Sequence, residues 1–173
     1  MKKHIIYKHC HRPFSFKMVG LTKETNNIIK RTFVFTESCM YLLDDGNQYD
    51  WNMLYGVSLG LFGIHKNSVR FAWRYNPETS RIDIASYWYI NGNHCWKYLC
   101  SLIINKEYNF KITFFNNSVI FTVMDDLTPI GKYQLEMNPK IMEKEKYQCG
   151  LCFGGNKRSP QRIEIIENEY KFY

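Results

Sequence analysis

Short strand-like runs follow one another along most of the chain, and this succession restricts the fold more than any other feature of the sequence. The runs are rich in β-branched and aromatic residues, which favour strands. They occupy residues 29–36, 40–43, 68–75, 81–90, 97–104, 108–115, 118–125, 130–137, 147–153 and 161–166. Short turn sequences such as DDGN, NPETS, NGN, NN and DDLTP separate them. The pattern predicts an antiparallel all-β sandwich or barrel, with at most one short helix at 140–147 or 51–56.

The length and composition are those of a globular chain. Of the 173 residues, 45% are hydrophobic and 17% aromatic, so we expect one β-sandwich domain over residues 1–173. Its first residues, about 15 of them, are expected to form an arm. No apolar run is long enough to cross a membrane, and Lys8 and His9 interrupt the apolar stretch that a secretory signal would need. These features favour a cytoplasmic protein or a component of an assembled particle, with no membrane partner.

The charge distribution allows an anionic partner but does not define one. The net charge is +7, yet the lysines are scattered and form no basic run. We therefore do not expect a nucleic acid as partner.

The six cysteines form no recognisable metal or redox motif. The closest pair, Cys149 and Cys152, lacks the second CxxC or the histidine pair that a zinc site needs. The histidines at 4, 9 and 11 have no carboxylate companions. We expect no metal, no cofactor, and reduced, buried thiols.

The central and C-terminal patterns are the most distinctive ones. The segment LCSLIINKEYNFKITFFNNSVIFTVMDD contains a polar turn, an aromatic-led strand, a tight Asn116–Asn117 turn and a second alternating strand. Further on, an aliphatic, aromatic and Gly-Gly-Asn element precedes the final strand RIEII. Its residues are Leu151, Phe153, Gly154, Gly155 and Asn156.

Over about residues 55–166, these patterns resemble the concanavalin A-like lectin/glucanase and laminin-G-like jelly-roll superfamily. The resemblance implies an antiparallel jelly-roll β-sandwich in which extended saccharides lie on one concave sheet. Asp125–Asp126 stands where the superfamily usually has Asp-Gly. The sequence also lacks the acidic cluster that legume lectins use for calcium and manganese, so metal-dependent sugar binding is not expected.

Residues 68–90 are predicted to form a hairpin whose two faces differ in character. If Tyr75 pairs with Ile82, then Arg74 faces Asp83 and the alternating residues separate into two consistent sets. One set is apolar and is expected to face the core. It contains Val69, Phe71, Trp73, Tyr75, Ile82, Ile84 and Trp88.

A second hairpin extends the polar face. Asn91–Gly92 suits a two-residue type I′ turn, which would place Tyr89 opposite His94 and Tyr87 opposite Trp96. This register directs the lysine at 97 inward, so we expect a bulge nearby.

The polar, aromatic face holds the candidate ligand-binding residues, and two alanines at 72 and 85 are expected to leave its middle lightly packed. The candidates are Arg70, Arg74, Asp83, Tyr87, Tyr89, His94 and Trp96. Aromatic rings stack on sugars, and arginine offers a rigid fork to carboxylates, phosphates or hydroxyls. The sequence thus predicts a non-catalytic, lectin-like module for a glycan or a small polar or anionic ligand.

Other readings of this face remain open at the level of sequence. An ordinary packed face would pair Arg74 with Asp83 and half-bury the tyrosines without any ligand. A protein partner or a homo-oligomer, as in a phage or bacterial assembly, could cover the face instead. A polysaccharide lyase would use Arg70 with Tyr87 or His94, although the lyase signature motifs are absent. No strand carries the paired carboxylates of a glycosidase, so an enzyme is not the expected function.

Overall fold

The computed structural model describes residues 1–13, 22–43, 46–155 and 157–170, and strands make up most of them. The strands are β1 (Lys2–Ile6), β2 (Lys23–Glu24), β3 (Ile28–Phe35), β4 (Asn52–Leu59), β5 (Ser68–Asn76), β6 (Arg81–Ile90), β7 (Asn93–Leu102), β8 (Glu107–Phe115), β9 (Ser118–Asp125), β10 (Thr128–Glu136), β11 (Lys146–Cys149) and β12 (Ile163–Asn168). One short helix, α1, spans Pro139–Met142 and overlaps the start of 140–147, the first of the two regions predicted for it. Two 3-10 turns cover Glu37–Cys39 and Gly46–Tyr49.

The strands form two antiparallel six-stranded sheets that pack face to face. Sheet A has the order β1-β12-β3-β8-β9-β10, and sheet B has the order β2-β11-β4-β5-β6-β7. Consecutive hairpins join β4 to β7 in sheet B and β8 to β10 in sheet A, and the other connections cross between the sheets. The predicted all-β, antiparallel jelly-roll β-sandwich is confirmed.

The core lies between the sheets and follows the two-residue period of the strands. All seven residues of the predicted core face of β5 and β6 are buried. Trp73 has no exposed surface and meets Phe35 and Tyr41 at ring-centroid distances of 5.5 and 6.0 Å. Burial of such large rings supplies most of the driving force for the packing of the two sheets.

The predicted register of both hairpins is confirmed. Arg74 lies opposite Asp83, and the β6–β7 turn has positive φ at Asn91 (52°) and Gly92 (88°), as a type I′ turn requires. The expected bulge is present, but it falls at Leu99, between the Ile84–Cys100 and Ala85–Tyr98 pairs. The lysine at 97 stays exposed because β7 is an edge strand.

One predicted strand was wrong, and the structure defines two further segments. Residues 40–43 form no strand, and the 51–56 region contributes not a helix but the start of β4, which is buried along its whole length between β11 and β5. A strand that is buried on both faces appears in the sequence as a continuous apolar run. Periodicity cannot distinguish such a run from a buried helix. The first part of the expected arm is β1, whose pairing with β12 sets Lys2 opposite Glu167.

All six cysteines are free thiols, but they are not all buried as expected. Cys39, Cys100 and Cys149 are buried, whereas Cys10 and Cys95 are exposed. Within the described part of the chain, no helix is long and apolar enough to cross a bilayer.

Candidate ligand-binding site

The face of sheet B that points away from sheet A carries the predicted site residues. We call it the outer face. Cross-strand neighbours form a row that runs from Cys149 through Gly56, Arg70 and Tyr87 to Trp96. All seven candidate residues lie on β5, β6 and β7 of this face, but they differ widely in exposure.

A cleft of about 280 Å³ opens on the outer face beside the β5–β7 strands. Four of the seven candidates line it: Arg74, Tyr87, His94 and Trp96. Its other lining residues are Tyr49, Asp50, Trp51 and Gly155, which come from the segment before β4 and the segment after β11. Arg70, Asp83 and Tyr89 do not line the cleft.

Arg74 is held in the cleft wall by aromatic rings and by two polar partners. Its guanidinium lies over Trp51, 4.3 Å from the ring centroid, and over Tyr49, at 5.3 Å. Nη1 donates to the carbonyl of Tyr49 at 2.9 Å, and Nε lies 3.4 Å from Oδ2 of Asp83. Stacking and pairing keep the planar fork in one orientation.

Asp83 is a structural partner in this arrangement. It is only 3% exposed, and Ser101 Oγ donates to its Oδ1 at 2.6 Å. Arg74 Nε and Asn76 Nδ2 both donate to Oδ2. A buried carboxylate with both oxygens occupied has little capacity left for a ligand, so Asp83 positions Arg74.

Arg70 is buried under tyrosines. It is 5% exposed, its guanidinium lies 5.5 Å from the centroid of Tyr87 and 5.7 Å from that of Tyr89, and its Nε has no hydrogen-bond partner among the described residues. The opposite residue on β4 is Gly56, which leaves room for the arginine stem against the backbone. Arg70 therefore supports the tyrosines from below.

Tyr87 and His94 form one wall of the cleft. Their rings stack with centroids 5.8 Å apart and an interplanar angle of 8°. Burial, together with the neighbouring Tyr89, raises the pKa of Tyr87 well above its ordinary value. The phenol, which is protonated at neutral pH as tyrosines ordinarily are, shares a hydrogen bond with Tyr89.

Exposed rings form the rim of the cleft. Trp96 is 45% exposed and Tyr49 is 41% exposed, and Trp96 contacts the buried Trp51 at a centroid distance of 5.3 Å. The indole N–H of Trp51 has no hydrogen-bond partner in the described part of the chain. The site thus combines solvent-facing aromatic surface with a fixed arginine, a histidine and the Asp50 carboxylate.

The middle of the outer face is packed more closely than the sequence predicted. Ala72 and Ala85 have no exposed surface, because they form a small apolar cluster with Trp51, Met53 and Tyr87. The sequence did not predict that Trp51 and Met53 cover the two alanines, because residues 51–56 were also compatible with a short helix. The signal was the apolar run after Asp50, which is a central strand beside β5.

Comparison with known proteins identifies the fold. No protein-family model matches the sequence, and no curated protein matches it. An alginate lyase from Klebsiella pneumoniae has a similar structure, with a TM-score of 0.62 and 10% identity over 81% of this chain and 56% of that one. The alginate lyase AlyC3, solved in complex with dimannuronate, gives 0.60 and 12% identity over 95% of this chain and 71% of that one.

These similarities concern the fold alone. The chain spans 56% of the length of the Klebsiella lyase, and both identities are low. The jelly-roll resemblance that the sequence predicted is confirmed, because both lyases are jelly-roll β-sandwiches. Fold does not fix function, so the activity must be argued from the cleft.

Proposed function

We propose that the protein is a non-catalytic module that binds a glycan in the outer-face cleft. The observation that carries this proposal is the exposure of Trp96 and Tyr49 at the cleft rim, next to rings that are buried. Exposed aromatic rings lose a solvent-facing surface when they stack on the apolar face of a sugar. Exposed rings also occur elsewhere on the protein, but Trp96 and Tyr49 line the same cleft, where one ligand can contact both.

Polar groups in the cleft suit the hydroxyl groups of a saccharide. His94, Asp50 and the protonated Tyr87 offer donors and acceptors around the aromatic floor. Arg74 adds a fixed positive charge, which is suited to the carboxylate of an acidic sugar. The similar AlyC3 structure holds dimannuronate, which supports the inclusion of uronate oligosaccharides among the candidate ligands.

A lyase is the second candidate, because Tyr87 and His94 stack beside an arginine in one cleft. One feature weighs against it. The pKa of Tyr87 is raised by burial, which opposes its use as a base. Incubation with alginate, followed by ultraviolet absorbance of the unsaturated product, should give no signal above a heat-denatured control.

The Trp96→Ala variant tests the binding proposal. Calorimetric titration with a panel of neutral and uronate oligosaccharides should find at least one ligand for the wild type. Trp96→Ala should bind that ligand about tenfold more weakly or worse, since a stacked ring contributes roughly 1 to 2 kcal/mol.

Phe115→Ala is the matched control, because Phe115 is also an exposed ring (63%) but lies at the end of β8 in sheet A. It should bind like the wild type. Equal loss in both variants, or no ligand in the whole panel, would contradict the proposal. In the latter case, loss of self-association in Trp96→Ala, measured by light scattering, would instead support an interface between copies of the chain.

A further inference from the structure

A second and larger cavity lies between the two sheets, at the side where sheet A ends in β12 and β1. Its volume is about 640 Å³, which is within the range of small-molecule sites. Apolar residues from both sheets line its inner part: Ile29, Phe33 and Ile165 from sheet A, and Leu54 with Leu151 from sheet B and the segment after it. The cavity is separate from the outer-face cleft, because the two share no lining residue.

Charged side chains occupy core-facing register positions at this cavity. On β3, Arg31 lies between Ile29 and Phe33 in the alternation, and all three line the cavity. On β12, Glu167 follows Ile165 in the same way. Positions on the inner face of a sandwich are normally apolar, but 32% of the Arg31 side chain and 20% of the Glu167 side chain are exposed, so these charges lie at the mouth of the cavity.

The charges form a connected group with an excess of positive charge. Glu167 accepts from Arg31 Nε at 3.1 Å, and its other oxygen lies 2.6 Å from His4 Nε2. Burial alone would raise the pKa of Glu167, but His4, Arg31 and Lys2 together lower it, so the carboxylate is ionised. Among the lining side chains, Lys2, Arg12 and Arg31 outnumber the single carboxylate of Glu167, and Lys3 is paired with Glu164.

The hydroxyl of Tyr55 is an unused donor at the same cavity. Tyr55 is 7% exposed and lines the cavity, and its hydroxyl oxygen has no hydrogen-bond partner among the described residues. Its ring is fixed between Phe33 and Phe71, each at a centroid distance of 5.5 Å. Burial raises the pKa of Tyr55 well above its usual value, so the group keeps its proton. A buried donor without a partner is costly, and a ligand acceptor would remove that cost.

From this geometry we infer that the cavity binds a small amphipathic anion, such as a medium-chain carboxylic acid. The apolar body would lie between the sheets against Ile29, Phe33 and Leu54. The carboxylate would meet the guanidinium of Arg31 and the hydroxyl of Tyr55. This combination of an apolar interior, excess positive charge and an unpaired donor distinguishes an anion from a neutral lipid or an alcohol.

Decanoate and decanol are the probes, because they share a chain and differ in the head group. Calorimetric titration below the micellar range should show saturable decanoate binding by the full chain, with decanol at least about tenfold weaker. Arg31→Gln should weaken decanoate binding by about tenfold or more. Tyr55→Phe keeps the ring and its packing, so it should fold normally and weaken decanoate binding by a smaller factor.

Arg162→Gln is the matched control, since Arg162 also pairs with a β12 glutamate, Glu164, at 2.7 Å, but lies outside the cavity. It should bind decanoate like the wild type. Absence of decanoate binding would overturn the inference. So would equal binding of decanoate and decanol, or decanoate binding that neither Arg31→Gln nor Tyr55→Phe weakens. Decanoate binding is measured independently of saccharide binding by Trp96→Ala. Failure of this inference would therefore not contradict the glycan-binding proposal.

Discussion

Replacing Gly56 with alanine is expected to lower the free energy of unfolding by about 3 kcal/mol or more. A Cβ at this position would lie 2.1 Å from the carbonyl oxygen of Val69 and 2.5 Å from the Cα of Arg70. Both are backbone atoms of β5, so the contact can be relieved only by separating two central strands of sheet B. Chemical denaturation followed by tryptophan fluorescence would measure the loss.

Gly46→Ala is the matched control. No atom of the described residues lies within 4 Å of a Cβ built at Gly46, so its replacement should change stability by less than about 0.5 kcal/mol. If Gly56→Ala were as stable as Gly46→Ala, the close pairing of β4 with β5 would be wrong.

The second large effect is expected from Trp73→Ala, which should cost about 3 to 5 kcal/mol. Trp73 is fully buried between Phe35 and Tyr41, at the centre of the sandwich core. Its removal would leave a cavity that the rigid rings around it cannot fill. Denaturant midpoints of the variant and the wild type would give the difference.

Trp96→Ala provides the comparison for the same residue type. Because Trp96 is 45% exposed on an edge strand, its loss should cost no more than about 1 kcal/mol. A large loss of stability in Trp96→Ala, or a small one in Trp73→Ala, would mean that the core and outer faces of sheet B are assigned the wrong way round.

The register of sheet B was predictable because local chemistry and alternation agree there. Asn91–Gly92 fixes one turn, and the alternation between Phe71, Trp73 and the arginines fixes the faces. A one-residue slip would place those arginines in the core, so only one register is acceptable.

The candidate site was only partly predictable, because tertiary contacts assemble it. Tyr49, Asp50 and Trp51 reach the cleft from the segment before β4, and Gly155 reaches it from the segment after β11. No short-range pattern links these segments to β5. The burial of a side chain is equally difficult to predict from the sequence. Arg70 shares a face with Arg74, but it is covered by Tyr87 and Tyr89.

The interior charges also escaped prediction from sequence. Arg31 was read as part of an ordinary strand, and His4 as part of an arm. Their proximity appears only when β1 pairs with β12 and β12 pairs with β3. A charged residue in the apolar phase of a strand, as at Arg31, was the available signal.

Glycan binding in the outer-face cleft is tested most directly by the indole N–H resonances of the four tryptophans, in protein labelled with nitrogen-15 at tryptophan. Trp51 and Trp96 line the cleft, whereas Trp73 and Trp88 face the core, which provides an internal control. Titration with the tightest saccharide of the panel should shift the Trp51 and Trp96 signals in proportion to occupancy and leave those of Trp73 and Trp88 in place. Shifts confined to Trp73 or Trp88, or saturable binding that moves none of the four signals, would place the ligand elsewhere and contradict the proposed site.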